Sequence, residues 1–329
     1  MMRGLLLALL TAAAVAAPPD IREEMGRVGV LRGQLAYRLW RAQGSAGRPL
    51  FVYFHGGPGA NAGVFRNAVG ALLTRRAGDL LLIDQRGCGA SSSWIDPADF
   101  TLERFAEDAS RVLQWVQAQH PELPRGIIIG HSFGAAIAVT LARRHPAQVA
   151  RLVLLSPALD YRDLKYHAYL AMKQRAAHEG DRAYLELVRA AELEHPPGSE
   201  SESALFTRAL SGDRSGFDAR RFGGAEEADL YRILAARDGE PLHVGAHWRS
   251  FVAADRLDRK DLTPELPFLT MPVLVLGGAE DYLTPPGCLT KIQALTPGAR
   301  LLLMPGAGHH PYLLHPEAFV EVLVRFARP

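Results

Sequence analysis

The sequence predicts an α/β fold in which a mostly parallel central sheet has helices on both faces and is interrupted by an inserted helical cap. Two observations indicate this. Short apolar runs rich in β-branched residues alternate with helical segments at the spacing of β-α-β units, which favours parallel strands. Between residues 158 and 268 these runs disappear, and charged residues and histidines become frequent. We therefore expect one core divided by a helical insertion.

The first part of the core is predicted at residues 17–157. Alternating apolar and polar residues on either side of Arg32 indicate an opening hairpin, and Thr101 is a plausible N-cap of a long helix. The elements expected here are strands at 27–31, 34–41, 50–54, 79–84, 126–130 and 150–156, and helices at 61–74, 101–119 and 133–145.

The cap is predicted at residues 158–268 and the second part of the core at residues 269–329. Helical spacing of tyrosine, leucine and alanine indicates cap helices at 161–178 and 181–195, the second of which ends before a Pro-Pro-Gly-Ser stretch. The returning core is expected to contain strands at 272–278 and 300–304 and an amphipathic helix at 316–327.

Residues 130–134, Gly-His-Ser-Phe-Gly, have the form G-x-S-x-G and lie between a predicted strand and a predicted helix. Glycines at both ends remove the Cβ atoms that would clash in a sharp turn, and such a turn lifts the Ser132 hydroxyl above the sheet. The alternative is an ordinary glycine-rich loop between a strand and a helix. The strand–turn–helix context argues against it and predicts that Ser132 is a nucleophile.

A serine hydroxyl is a poor nucleophile at neutral pH and requires a base within hydrogen-bond reach. His309 and His310 both follow the last predicted strand. The position of His309 directly after Gly308 favours it as the base, and His310 is expected at the rim of the pocket.

A third residue must orient the histidine and stabilise its positive form. Asp281 follows the strand predicted at 272–278 and is the preferred candidate; Glu280 and Asp160 remain alternatives. The resulting chain order of nucleophile, acid and histidine is that of the α/β-hydrolase fold.

Residues 55–59, His-Gly-Gly-Pro-Gly, follow the strand at 50–54 and form a glycine-rich loop with exposed backbone N–H groups. In α/β-hydrolases this loop supplies half of the oxyanion hole, and the residue after the nucleophile supplies the other half. The N–H groups of Gly57 and Phe133 are the predicted pair.

These motifs resemble the proline iminopeptidase (prolyl aminopeptidase) family of serine peptidases over roughly residues 45–157 and 268–329. Four segments are similar: HGGPG at 55–59, DQRGCGAS at 84–91, GGAEDYLTP at 277–285 and PGAGH at 305–309. The resemblance implies an aminopeptidase that releases N-terminal residues, proline-type, from short peptides through an acyl-enzyme. Within the second segment, Asp84 and Arg86 are expected to brace the loop beneath the site.

Other functions remain open, because a fold does not determine a substrate. The family usually has G-G-S-W-G at the nucleophile and a W-x-x-W-E segment, and this chain has neither. An esterase or lactonase would use the same machinery, and a catalytically silent binding member of the fold is the non-enzymatic alternative. An aminopeptidase also needs carboxylates for the substrate ammonium. The sequence does not choose among the cap acids Glu192, Glu194, Glu226, Glu227 and Glu240.

Residues 1–16 have the pattern of a secretory signal peptide: Arg3, an apolar stretch, and a small-residue cleavage site ending at Ala16. The apolar stretch is too short to span a bilayer, so no stable membrane insertion is expected after cleavage. The protein is therefore expected to be exported, either periplasmic or secreted. A formal net charge of +2 without a lysine–arginine run gives no indication of a nucleic-acid partner.

The expected chemistry requires a small peptide or ester substrate and no metal or organic cofactor. His243 and His247 have the i, i+4 spacing of metal ligands, but without an evident third ligand a polar helix face is expected. Cys88 and Cys288 are the only cysteines and do not form a disulfide framework. Cys88 is expected to be a free thiol that lines the pocket.

Overall fold

A computed structural model of the chain describes residues 17–44, 47–91, 96–199, 201, 204–206, 208, 222, 224–238 and 243–328. Its centre is an eight-stranded sheet with the strand order β1-β2-β4-β3-β5-β6-β7-β8. The strands are β1 Ile21–Val30, β2 Gly33–Ala42, β3 Leu50–Phe54, β4 Asp79–Ile83, β5 Gly126–His131, β6 Val149–Leu155, β7 Val273–Gly278 and β8 Arg300–Met304.

Only the strands at one side of this sheet are antiparallel. β1 pairs antiparallel with β2, and β2 pairs antiparallel with β4. The other five pairings, from β4 through β3, β5, β6 and β7 to β8, are parallel. The prediction of a mostly parallel sheet is therefore confirmed, and the carboxyl ends of the parallel strands share one edge, where ligands bind in open α/β sheets.

Helices cover both faces of the sheet, as predicted. The described helical segments of the core are Gly63–Phe65, Arg66–Gly70 (a π-helical turn), Ala71–Arg76, Leu102–Gln119, Phe133–Arg144, Pro286–Leu295, Pro311–Leu314 and Pro316–Ala327, with short 3-10 turns at Pro97–Asp99 and Pro146–Gln148. Alternate residues of the strands belong to two separate apolar clusters: Val52 and Ile128 pack in one, Phe51 and Ile127 in the other. Because side chains alternate across a strand, these clusters lie on opposite faces of the sheet.

The inserted segment includes the helices Tyr161–Glu179, Arg182–Glu194, Ala225–Asp238 and Val244–Asp255. The first two helices share a third apolar cluster that includes Tyr169, Met172 and Val188. The predicted signal peptide at residues 1–16 lies outside the described residues. Across the described ranges, no helix has the length and apolar character needed to cross a membrane.

Candidate active site

Ser132 lies in the sharp turn between β5 and the helix Phe133–Arg144. Its backbone has φ 53° and ψ −118°, which is unusual for a residue other than glycine, and its N–H donates to the carbonyl of Leu155 at 2.9 Å. A Cβ added at Gly130 would lie 2.6 Å from the carbonyl oxygen of Gly134, and one added at Gly134 would lie 2.2 Å from that of Phe54. Both glycines are therefore sterically required for the turn that presents Ser132.

His309 and Asp281 meet as the sequence predicts. Nδ1 of His309 lies 2.9 Å from Oδ2 of Asp281, and both side chains are buried. Oδ1 of Asp281 accepts the N–H groups of Leu283 at 2.8 Å and Thr284 at 2.9 Å, and the Thr284 hydroxyl donates to Oδ2. Burial opposes ionisation, but the His309 charge and these hydrogen bonds hold the pKa of Asp281 below its usual range. An ionised Asp281 keeps the proton on Nδ1 and leaves Nε2 of His309 to act as a base.

The loops that carry Asp281 and His309 approach each other closely. A Cβ added at Gly278 would lie 2.1 Å from the carbonyl oxygen of Ala307 and 2.2 Å from that of Gly308. The N–H of Glu280 donates to the carbonyl of Ala307 at 2.8 Å. The absence of a side chain at position 278 is thus what lets the two loops pack side by side.

The alternative triad residues lie elsewhere. Glu280 is exposed, and Asp160 caps the helix Tyr161–Glu179 by accepting the N–H of Asp163 at 3.1 Å. His310, expected at the pocket rim, is instead buried: its ring stacks against Phe222 with 5.3 Å between ring centroids. Its ring therefore belongs to the packing around the site.

Ser132 and His309 line the same cavity, of about 270 Å³. Aromatic and histidine side chains dominate its wall: Tyr53, His131, Phe222, Tyr231, His310 and Tyr312. Phe222, Tyr231 and Arg232 come from the inserted segment, so that segment forms part of the cavity wall. Among the described residues that line it, Arg232 is the only ordinarily charged side chain other than histidine, and none is a carboxylate.

The two predicted oxyanion donors flank Ser132. Gly57 lines the cavity with φ 121°, and a Cβ there would lie 2.5 Å from the N of Gly59, so the loop conformation requires glycine. At neighbouring Gly56, an added Cβ would lie 3.2 Å from Cβ of Ser132. Phe133 is the first residue of its helix, where backbone N–H groups have no partner within the helix and point toward anions.

Asp84 and Arg86 hold the loop at 84–91 in place. Asp84 accepts the N–H groups of Ala62 at 3.3 Å and Ala90 at 3.0 Å. Arg86 forms a buried bidentate pair with Asp108, with both N–O distances 2.8 Å. These contacts agree with the expectation that the two side chains brace the loop.

Cys88 and Cys288 are free and buried. The expectation that Cys88 lines the pocket is wrong: it is not part of the cavity wall, and its thiol faces the carbonyl of Arg86 at 3.5 Å. Its side chain is instead buried within the loop, 1% exposed. Burial raises the pKa of the Cys88 thiol, so it remains protonated.

One described group combines three possible metal ligands, Asp163, His167 and Cys288, whose ligand atoms lie within 4.8 Å of one another. Lys291 donates to the Asp163 carboxylate at 3.0 Å and already neutralises it. His243 and His247, for which a polar helix face is expected, are not part of such a group among the described residues, and His247 is buried rather than on a polar face. Their rings stack with 5.8 Å between centroids, and Nδ1 of His247 lies 3.1 Å from the His243 carbonyl oxygen, as in ordinary helix packing.

The sequence does not distinguish Glu227 from the other acidic residues of the cap, but the structure places it beside the loop that carries His309. Its carboxylate accepts the N–H groups of Gly308 at 2.6 Å and His310 at 2.9 Å. The sequence does contain a pattern that indicates burial of Glu227: it shares one helix face with the apolar residues Leu230 and Leu234, at positions i, i+3 and i+7. A glutamate on an apolar face is a candidate for a buried carboxylate.

The chain is similar to known proteins that have different activities. The profile of the alpha/beta hydrolase fold matches residues 49–316. The chain is 29% identical over 289 residues to pimeloyl-[acyl-carrier protein] methyl ester esterase of Edwardsiella ictaluri, covering 88% of this chain and 96% of that protein. It is 23% identical over 308 residues to proline iminopeptidase of Heyndrickxia coagulans, covering 92% of this chain and 97% of that protein.

A solved structure of a related protein has the same fold. The proline iminopeptidase-related protein of Thermus thermophilus superposes with a TM-score of 0.72 and 26% sequence identity, covering 92% of this chain and 96% of that chain. The resemblance to proline iminopeptidases is thus confirmed, and the esterase relative has a similar degree of identity. The comparisons therefore agree on the fold and leave the substrate open.

Proposed function

This chain belongs to the alpha/beta hydrolase family, and we propose that it is a serine hydrolase whose catalytic triad is Ser132, His309 and Asp281. The observation that carries the proposal is the 2.9 Å contact between Nδ1 of His309 and Oδ2 of Asp281, next to a cavity that Ser132 also lines. A catalytically silent binding protein would need none of these three side chains. Ser132 and His309 line one cavity and Asp281 contacts His309, and this arrangement favours an enzyme.

The proposed reaction is acyl transfer through an acyl-enzyme. The Ser132 oxygen attacks the substrate carbonyl carbon while Nε2 of His309 takes its proton, and Asp281 stabilises the resulting imidazolium. The N–H groups of Gly57 and Phe133 stabilise the negative charge that develops on the carbonyl oxygen. His309 then gives its proton to the departing alcohol or amine. Water, deprotonated by His309, attacks the acyl-enzyme, releases the acid and restores Ser132.

Replacement of Ser132 by alanine tests this mechanism. We expect Ser132→Ala to lose almost all hydrolysis and to keep only the residual rate that the oxyanion hole and substrate binding provide. Ser250→Ala, on a helix of the inserted segment, is the matched control and is expected to retain full activity. A folded Ser132→Ala protein with most of its activity on the best substrate would exclude Ser132 as the nucleophile.

The first candidate for specificity is an aminopeptidase that releases N-terminal residues, proline-type, from short peptides. It is supported by the segments at 55–59 and 84–91 and by the likeness to proline iminopeptidases. Such an enzyme binds a free ammonium group, for which a buried carboxylate is the natural partner. None of the described residues lining the cavity is a carboxylate, which counts against this candidate.

The second candidate is an esterase or lactonase, and the cavity wall favours it. Its described side chains include four large aromatic ones, Tyr53, Phe222, Tyr231 and Tyr312, and the only ordinarily charged one other than histidine is the cationic Arg232. Such a wall suits a neutral or anionic acyl group better than an ammonium group. The esterase of Edwardsiella ictaluri shows that a relative of similar identity has an ester substrate.

Three substrates separate these candidates: an amino-acid arylamide with a free amine, the same arylamide with a blocked amine, and a simple aryl ester. For an aminopeptidase, blocking the amine removes a buried charge interaction of ~2–5 kcal/mol, so kcat/KM should fall well over tenfold. For an esterase, the ester should be the fastest substrate and the blocked arylamide at least as good as the free one. Equal or faster cleavage of the blocked arylamide excludes the aminopeptidase candidate.

We also propose that the protein is exported and that residues 1–16 are removed. The support is the sequence pattern of Arg3, the apolar stretch and the cleavage site ending at Ala16. Intact-mass measurement of protein exported by a bacterial host should show a chain that starts at or near Ala17. An Ala16→Leu variant should accumulate as precursor, because the cleavage site requires a small residue. Retention of Met1 on soluble, exported protein would contradict the proposal.

A further inference from the structure

Glu227 is a buried carboxylate outside the proposed triad. It lies on the helix Ala225–Asp238 of the inserted segment, and its side chain is 0% exposed. A buried carboxylate is strongly destabilising unless hydrogen bonds satisfy its oxygen atoms. The partners of Glu227 therefore indicate what it does.

Both carboxylate oxygens of Glu227 bind the backbone that carries the catalytic histidine. Oε2 accepts the N–H of Gly308 at 2.6 Å, and Oε1 accepts the N–H of His310 at 2.9 Å. These residues immediately precede and follow His309. Hydrogen bonds from N–H groups to a charged acceptor are roughly twice as strong as neutral ones, so the carboxylate fixes the loop on both sides of His309.

The carbonyl group of His309 is fixed from the nucleophile side. Nε2 of His131 lies 3.0 Å from the carbonyl oxygen of His309. His131 directly precedes Ser132, so this contact joins the loop at residues 308–310 to the turn that carries Ser132. Glu227 on one side and His131 on the other together hold the backbone of residues 308–310.

The helix that carries Glu227 is itself docked on the core. Leu230, Tyr231 and Leu234 pack against the apolar cluster on one face of the sheet. The side-chain amide of Asn67 donates to the carbonyl of Leu234 at 3.1 Å. The position of the Glu227 carboxylate is therefore set by how the inserted segment sits on the core.

We propose that Glu227 is a positioning residue for His309, so that the base is correctly placed only while the helix Ala225–Asp238 is docked. This inference rests on the proposed function, because it assigns the role through the catalytic histidine. Without the carboxylate, the N–H groups of Gly308 and His310 lose an acceptor in a buried site, and the loop shifts to find another. A displacement of about 1 Å of a catalytic group can cost about 10²-fold in rate.

The test compares Glu227→Gln with Glu226→Gln, a matched control that removes the same charge from the exposed neighbouring position. Glutamine at 227 keeps one oxygen that can accept a hydrogen bond. Its amide N–H group faces the other backbone N–H, of Gly308 or His310, which then has no acceptor at this position. We expect kcat on the best substrate to fall about 10²-fold with little change in KM, because the loss lies in the placement of the base. Glu226→Gln should behave like the unmodified protein.

A second readout does not depend on turnover. The proton between Nδ1 of His309 and Asp281 should give a downfield proton NMR signal in the unmodified protein and in Glu226→Gln. In Glu227→Gln this signal should broaden or shift. If Glu227→Gln does not fold, Glu227→Asp, which keeps the charge but withdraws it by one methylene, should show the same changes to a smaller extent.

The outcomes are distinct. A lowered melting temperature with unchanged kcat and an unchanged downfield signal would reduce Glu227 to a stability residue and overturn the inference. Full activity of Ser132→Ala would instead refute the proposed function, while the NMR signal would still report whether Glu227 positions His309.

Discussion

Nε2 of His55 accepts a hydrogen bond of 3.0 Å from the backbone N–H of Gln85. The side-chain amide of Gln85 returns a second bond, 2.7 Å long, to the carbonyl oxygen of His55. These bonds join the loop that carries Gly57 to the loop at 84–91. Because Nε2 is the acceptor, Nδ1 must carry the proton, and it lies 2.9 Å from the carbonyl oxygen of Gly56. The loop at 55–59 is thus held by a neutral imidazole.

Because His55 is neutral in the folded protein, the stability of the fold should depend on pH below neutrality. Burial lowers the pKa of His55 from its ordinary value of 6.5 to about 4. Between these values the unfolded chain binds a proton that the folded chain does not, so stability rises with pH. The contribution is fully present above pH 6.5 and is lost as the pH falls toward 4, up to about 3 kcal/mol.

Urea unfolding between about pH 4 and pH 7 checks this prediction. His55→Gln removes the titrating group and offers an amide oxygen to the N–H of Gln85. We expect a lower stability near neutral pH but a flatter pH dependence for the variant than for the unmodified protein. Parallel curves for the two proteins would show that His55 is not the group responsible.

The core and the proposed triad could be predicted from the sequence because their signals are local. Parallel strands buried on both faces are continuous apolar runs, and the observed β3, whose residues are all buried, coincides with its predicted range. The turn at Ser132 and the loop of Asp281 likewise depend on glycines next to strand ends, which are visible in the sequence.

What the sequence did not reveal depends on tertiary packing. Glu226 and Glu227 are adjacent glutamates of one helix, and only the docking of that helix makes one exposed and the other fully buried. His310 follows His309 directly, yet its ring is buried against Phe222 in the wall of the cavity. The burial of Cys88 depends on how its loop packs against the core, which composition does not encode.

The glycine at the end of the nucleophile motif should not tolerate even a methyl group. A Cβ at Gly134 would lie 2.2 Å from the carbonyl oxygen of Phe54 and 2.7 Å from that of His55, and both are backbone atoms where β3 passes into the loop at 55–59. We expect Gly134→Ala to lower stability by about 1–3 kcal/mol and to reduce activity sharply, since β3 must shift.

Gly29→Ala is the control for this substitution, because a Cβ at Gly29 meets nothing within 4 Å. Thermal unfolding and kcat/KM of the two variants provide the measurement. Similar stability and activity in both would mean that the close packing of the helix Phe133–Arg144 against β3 is not required.

The buried pair of Arg86 and Asp108 should contribute far more than the surface ion pairs. Both N–O contacts are 2.8 Å, and the two side chains are 3% and 4% exposed. Removing one partner of a buried pair leaves an uncompensated charge, so Arg86→Ala should cost about 3–5 kcal/mol. Arg144→Ala, which breaks an exposed pair with Glu107, should cost no more than about 1 kcal/mol. Denaturant unfolding measures both, and equal losses would contradict the prediction.

Asp281→Asn should remove catalysis while preserving the architecture of the site. The side-chain oxygen of asparagine can still accept the N–H groups of Leu283 and Thr284, which now bind Oδ1 of Asp281. Its amide nitrogen then faces Nδ1 of His309 and donates to it, which forces the imidazole proton onto Nε2. In this tautomer His309 cannot accept the Ser132 proton, and the analogous change in serine proteases lowers kcat about 10⁴-fold.

For Asp281→Asn we expect a loss of kcat of that order with a melting temperature close to that of the unmodified protein. The control Glu280→Gln, one residue away and exposed, should retain activity. If Asp281→Asn kept most of its kcat, Asp281 would not be the residue that orients the base.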